Sequence, residues 1–252
     1  MRDFEEIKGL TEFYELIGAL FGDGHIKYFQ EKYCYYGITI SGNLTEDLDY
    51  LIYLQRLIQS ITELNPSLNK RKKYHVAYLN LNNKKLLDFL VKTCKLPYNQ
   101  NKRKSHVPQI ISRCNNNPQL SSFVRGLTDT DGTLIFGKKG CYKRYEYPVI
   151  EIKNSNLLLL EDTKKILKKI GFAPKIRKSG LNDYCLYISG KKNLEKWIQE
   201  IGFSNPKHKT KYLIWKRFGE GLPKTTIKER YLLLHNNNLR QCGVGREAMH
   251  ST

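Results

Sequence analysis

The strongest constraint on this chain is that one unusual segment occurs twice. Leu16-Ile17-Gly18-Ala19-Leu20-Phe21-Gly22-Asp23-Gly24 and Val124-Arg125-Gly126-Leu127-Thr128-Asp129-Thr130-Asp131-Gly132 are both apolar helical runs ending in Asp-Gly, 108 positions apart. A carboxylate at a helix C-terminus faces the negative end of the helix dipole, at a cost of a few tenths to about 1 kcal/mol. Small residues also stand one turn apart on one face, Gly18 with Gly22 and Gly126 with Thr130. That spacing lets two helix backbones approach closely. Helices packed along those faces bring Asp23 and Asp131 side by side, like charges at two negative dipole ends. Such a cluster calls for cations.

The duplication extends beyond these segments, as a repeat of about 107 residues in which Leu79–Leu87 resembles Leu186–Leu194 and Asn43–Asp47 resembles the start of Asn156–Asp162. Each unit reads helix, two strands, helix, two strands, helix. In the first, Thr11 is the expected N-cap of a helix running to Gly22. Strand composition follows over 25–41, a helical apolar period over 46–61, a hairpin over 68–82 and a helix over 84–95. In the second, Asn117-Pro118 starts a helix; strands follow at 133–137 and 146–153, a helix at 157–170, a hairpin at 174–189 and a helix at 192–201. The expected fold is therefore α+β, with two pseudo-symmetric αββαββα repeats at 1–98 and 118–222. Residues 99–117 form the linker, and 223–252 a C-terminal helix (Ile227 to His235) with a flexible tail.

Composition narrows the partner. The formal charge of +19 implies a polyanion, with nucleic acid first. It concentrates in the hairpins, at Lys70, Arg71, Lys72 and Lys73, at Lys138, Lys139, Lys143 and Arg144, and at Lys175, Arg177 and Lys178. Antiparallel strands with one face on helices leave the other face free. Two such sheets, basic and tyrosine-rich on the open side, make a concave saddle for a duplex, whose major groove admits a β-ribbon. The apolar runs are too short to span a bilayer, and the Met1-Arg2-Asp3-Phe4 start carries no secretory signal, so an intracellular protein is expected. The 6 cysteines form no CxxC pair, and neither they nor the 6 histidines cluster as a zinc site would require. Any metal is then a hard cation on oxygen ligands, Mg²⁺ above all.

Both segments resemble the LAGLIDADG motif of homing endonucleases, read here as LIGALFGDG and VRGLTDTDG, and the chain resembles the monomeric, two-motif type over residues 10–222. The resemblance implies that the motif helices pack at the repeat interface and that the protein is a site-specific double-strand DNA endonuclease, intron-encoded, cutting a long asymmetric target. It implies metal binding by Asp23 and Asp131 with the main-chain carbonyls of Gly22 and Thr130. Mg²⁺ is the expected cofactor, with Mn²⁺ able to substitute and Ca²⁺ supporting binding without cleavage. Basic residues near the active-site waters fall at Lys153, Lys207 and Lys102, so the catalytic candidates are Asp23, Asp131, Lys153, Lys207 and Lys102. Ser41 stands where Lys153 has its counterpart, which implies unequal cutting of the two strands. Asp129 reads as a last-turn polar side chain outside the metal site, and His25 as a strand residue facing DNA backbone or solvent. An RNA-binding intron maturase and a non-cleaving DNA-binding protein on the same fold remain alternatives, so intron RNA is a second candidate partner.

Overall fold

A computed structural model describes residues 2–29, 35–99, 104–138 and 144–236. The helix α1 (Phe4–Gly9) leads into α2 (Thr11–Phe21), β1 (Gly24–Phe29), β2 (Tyr35–Asn43), α3 (Leu48–Thr62), β3 (Ser67–Arg71), β4 (Val76–Leu81) and α4 (Lys84–Asp88). After α5 (Gln109–Ser112) the order returns as α6 (Asn117–Asp131), β5 (Gly132–Gly137), β6 (Tyr147–Asn154), α7 (Leu157–Lys169), β7 (Lys175–Lys178), β8 (Tyr184–Ser189) and α8 (Lys191–Glu200). Two more helices, α9 (Pro206–Phe218) and α10 (Ile227–His235), follow the second repeat.

The strands form two four-stranded antiparallel sheets of the same order, β1-β2-β4-β3 and β5-β6-β8-β7. Their registers repeat as well. Gly24 pairs with Ile40, itself opposite Leu79; Gly132 pairs with Ile152, itself opposite Leu186. These apolar residues share one face of each sheet and pack on the helices, in one core that runs through both repeats. Period-2 alternation then fixes the open faces. One carries His25, Lys27, Thr39, Ser41, Tyr78 and Arg71; the other carries Thr133, Glu151, Lys153, Lys175, Arg177 and Tyr187.

At the centre, α2 and α6 pack through their glycines. A Cβ on Gly18 would lie 2.1 Å from the Phe123 carbonyl oxygen and 2.8 Å from the Leu127 amide. The mirror relationship holds at Gly126, whose Cβ would lie 2.0 Å from the Glu15 carbonyl oxygen and 2.9 Å from the Ala19 amide. No side chain fits at either position. The same helices share a buried ion pair, in which Glu15 Oε2 accepts from Arg125 Nη2 at 2.6 Å and from Nε at 2.9 Å.

Several local expectations are corrected. Thr11 is the first helical residue, because α1 runs to Gly9 and Leu10, between the two helices, takes the N-cap position without a side-chain cap. The cap of α6 is Asn116, whose side chain accepts from the Gln119 amide, so Pro118 comes one place later than expected. Asn43 accepts from the Thr45 and Glu46 amides ahead of α3 without being its N-cap, whereas Asn156 caps α7 directly. The helix expected over 84–95 divides into α4 and a π turn at Phe89–Thr93. The expected linker holds α5. The expectation of a flexible tail falls mostly on 237–252, outside the described residues.

Candidate metal centre and nucleic-acid interface

The two motif helices end against each other. A Cβ on Gly22 would meet Thr130 Oγ1 at 1.8 Å and the Asp131 amide nitrogen at 3.4 Å. Gly22 and Thr130 are therefore in direct contact across the pseudo-twofold axis, and Asp23 and Asp131 flank that junction. Asp23 is exposed and Asp131 half-buried. Neither helix has a basic residue in its own last turn to offset its negative end. Each strand leaves the junction through a glycine that a side chain could not replace: a Cβ on Gly24 would lie 2.4 Å from Leu20 Cα, and one on Gly132 would lie 2.5 Å from the Thr128 carbonyl oxygen.

The second carboxylate is held by a residue that sequence reasoning passed over. Asn154 Nδ2 donates to Asp131 Oδ2 at 2.5 Å from the helix-facing side of β6. The position matching Asn154 in the first repeat is Gly42, where a Cβ would come within 2.9 Å of Asp47 Cβ. Two carboxylates and carbonyl oxygens at helix ends make a hard, anionic donor set that suits a divalent ion with oxygen preference. Among the described residues no group of three His, Cys, Asp or Glu side chains forms an alternative metal cluster.

Residues 118–202 match the family of LAGLIDADG-like domains. Comparison with solved structures extends the architecture to both repeats. The homing endonuclease I-DmoI in complex with DNA and Mn aligns at TM-score 0.55 and 18% identity, over 79% of this chain and 98% of that one. Mesophilic variants of I-DmoI align at TM-score 0.53 and 19% identity, over 78% and 96%. A mutant of I-SmaMI aligns at TM-score 0.53 and 12% identity, over 82% and 89%. At these identities the likeness is one of fold: two antiparallel four-stranded sheets with flanking helices. A comparison with curated protein sequences gives no match.

The LAGLIDADG fold sorts the remaining candidates by face. Lys153 follows Ile152 on the open face and lies 3.6 Å from Glu151 Oε2. Ser41 occupies the same register position in the first sheet, as expected. Lys207, in the first turn of α9, donates from Nζ to Asp47 Oδ1 at 2.7 Å, a contact between the second repeat and the first. Lys102, Lys139 and Lys143 lie outside the described residues.

In the hairpins, Arg71, Lys175 and Arg177 face the open side. Lys70 and Lys178 do not: they pair with Ala77 and Tyr184, which puts both on the helix-facing side of an edge strand. Alternation allows only every second cation of a run such as Lys70-Arg71 to face the saddle. Lys72 and Lys73 are exposed in the turn between β3 and β4, and Lys138 and Arg144 are exposed on either side of the 139–143 segment. Arg71 lies over the Tyr78 ring at 5.3 Å and Arg177 over Tyr187 at 5.2 Å, so each saddle half presents a stacked arginine. His25, read from the sequence as a strand residue facing DNA backbone or solvent, lies on the same surface with Lys27, which a period-2 reading of β1 could have found.

Asp129 differs from its sequence reading. It is buried, accepts from the Ser204 and Asn205 amides at 2.6 and 3.0 Å, and so anchors the start of α9. Burial, reinforced by the nearby Glu15 charge, pushes its carboxyl up to about 8 against those hydrogen bonds. The helix α9 itself was missed. Its signal is Asn205-Pro206, an N-cap Asn followed by Pro, the same signature that opens α6.

Proposed function

We propose that this chain is a metal-dependent, site-specific endonuclease of double-stranded DNA, an intron-encoded homing enzyme that acts as a monomer. The observation that carries it is the contact of Gly22 with Thr130, which joins two helix-end carboxylates at the middle of two basic, open sheet faces. A one-carboxylate site would suit a binding protein equally well. Two pseudo-symmetric carboxylates suit two scissile phosphates, one per strand.

Asp23 and Asp131, with the main-chain carbonyls of Gly22 and Thr130, would hold divalent cations, Mg²⁺ by preference. When bound, these supply charge neutralisation at phosphate and a water acidic enough to be a nucleophile near neutral pH. The chain's own residues do the rest. Asn154 fixes the Asp131 carboxylate through its 2.5 Å hydrogen bond, so the second half begins preorganised. Lys153 carries a cation at a strand end of the open face, beside the junction, where it can meet phosphate charge. Lys207, held by Asp47, offers a second ammonium whose position depends on both repeats. The saddle cations Lys27, Arg71 and Lys175 bind the DNA backbone, and the stacked arginines and open-face polar side chains read base edges.

The test is a randomised duplex library incubated with protein in Mg²⁺ and separately in Ca²⁺, with bound and cleaved fragments sequenced. The expected result is one long site, bound in Ca²⁺ and cut on both strands in Mg²⁺. Asp23→Asn and Asp131→Asn should each abolish double-strand cleavage while binding survives. Undiminished cutting by either variant overturns the assignment, and specific binding without any cut by the wild type favours a non-cleaving DNA-binding protein.

A further inference from the structure

The segment around α9 and α10 borders an open cavity of about 450 Å³ that shares only Lys207 with the candidate catalytic residues. Its walls come from β5, α9, residues 222–225, the start of α10, and Glu46 of the first repeat. Four cations line it: Lys207, Lys211, Lys224 and Arg230. Two of them are compensated. Lys207 pairs with Asp47 at 2.7 Å, and Arg230, 2% exposed, pairs with Glu46 at 3.1 Å. Glu46 also accepts from the Ile227 amide, so its charge is shared with the start of α10.

Lys211 is the surplus. It is half-buried, its Nζ lies 3.4 Å from the Thr133 hydroxyl, and the nearby Glu46 and Asp47 carboxylates are already paired with Arg230 and Lys207. Burial, with Arg230 and Lys207 as like-charged neighbours, brings its ammonium down to about 8. Glu46 and Asp47, already paired with Arg230 and Lys207, answer the four cations only in part, and an anion from outside completes the balance. Thr133, which Lys211 touches, sits on the open face, two residues beyond Asp131, and Ile135 from the same face is 40% exposed at the cavity wall. The cavity wall thus includes Ile135, a residue of the open face on which a duplex would lie.

We infer that this cavity is a binding site for a phosphodiester group of the nucleic-acid backbone, received by Lys211 and Lys224 and framed by Arg230. It rests on the nucleic-acid reading above, but not on cleavage. The C-terminal helix then has a role beyond packing: it supplies Arg230 and part of the wall beside the half-buried Lys211.

The test is the salt dependence of binding to a non-specific duplex in Ca²⁺, where no cutting is read. The double variant Lys211→Met with Lys224→Met is compared with wild type and with Lys168→Met, an exposed lysine of α7 on the helix side. Loss of one phosphate contact reduces the slope of log K against log salt by about 0.9. The expected result is that decrease in the double variant and no change in the α7 control. An unchanged slope overturns the inference. So does a result in which inorganic phosphate stabilises wild type but not the double variant while the duplex slope stays the same, which would assign the cavity to a free anion. A wild type that binds duplex with the expected slope yet never cuts in Mg²⁺ removes the endonuclease reading and leaves this site standing.

Discussion

Thr130 Oγ1 fills the space that a side chain on Gly22 would need, 1.8 Å from the position of its Cβ. The two residues are counterparts in the repeat, so the axis of pseudo-symmetry passes between a residue and its own equivalent. Only one of the two can carry a side chain, and the close approach of the helix ends depends on that asymmetry.

Gly22→Ala should therefore destabilise the fold by about 1–3 kcal/mol, the range for overpacking. The obstacle is one side chain, so a compensating Thr130→Gly should recover much of the loss. Gly18→Ala meets the Phe123 carbonyl at 2.1 Å, which is backbone, and no single side-chain substitution should rescue it. Urea denaturation of the four proteins checks this; equal rescue at both positions would contradict the packing described.

Asn154 predicts an inequality between strands. It bonds Asp131, and its counterpart position, Gly42, has no side chain to do the same for Asp23. Asn154→Ala should slow cutting of one strand by roughly 10- to 100-fold, the usual effect of losing such a supporting hydrogen bond. The other strand should be cut at the wild-type rate. Nicking assays with each strand labelled separate the two, and equal slowing of both would remove Asn154 from a half-specific role.

Much of this fold was legible because repetition amplifies weak signals. Gly18 and Gly126 share a position in the repeat, and each alone is an ordinary helical glycine; together they specify a face. Residues of the site that act through one partner were less legible. Asn154, Asp47 and Asp129 act across elements far apart in sequence, and nothing in their neighbours marks them. Lys70 and Lys178 failed for another reason: a run of cations carries no information on register, and strand pairing alone decides which ones reach the saddle. The helix α9 was hidden by its weak apolar period, since His208, Thr210 and Trp215 are buried where a sequence reader expects leucines.

His208 sets an acid limit on stability. It is fully buried on α9, neither ring nitrogen has a hydrogen-bond partner among the described residues, and its ring centroid lies 5.2 Å from that of Phe203. Burial, together with Lys207, Lys211 and Arg230, holds its protonation well below the usual histidine range. The unfolded chain then binds the proton first, so this contribution is complete above about pH 6.5 and is lost as pH falls, by up to about 1.4 kcal/mol per unit. His208→Phe should keep the packing and flatten the dependence of unfolding free energy between pH 7 and pH 5.5. Identical slopes in variant and wild type would mean that another group carries the acid sensitivity.

Arg177 and Lys175 stand on the same strand and the same open face, yet they should not contribute alike. Arg177 Nη2 donates to Glu151 Oε1 at 2.7 Å, and Glu151 is 3% exposed with Lys153 as its other cation at 3.6 Å. The arginine charge is thus largely answered within the sheet, whereas among the described residues Lys175 has no such carboxylate. Lys175→Ala should lower the salt slope of duplex binding by the full amount of one phosphate contact, and Arg177→Ala by less. Stability should respond in the opposite order. Arg177→Ala leaves a buried carboxylate poorly paired and lowers the urea midpoint, Lys175→Ala leaves it unchanged, and Glu151→Gln added to Arg177→Gln restores it. Anisotropy titrations and urea curves on the same proteins give both readings, and a parallel loss in the two single variants would show that Glu151 does not neutralise its neighbour.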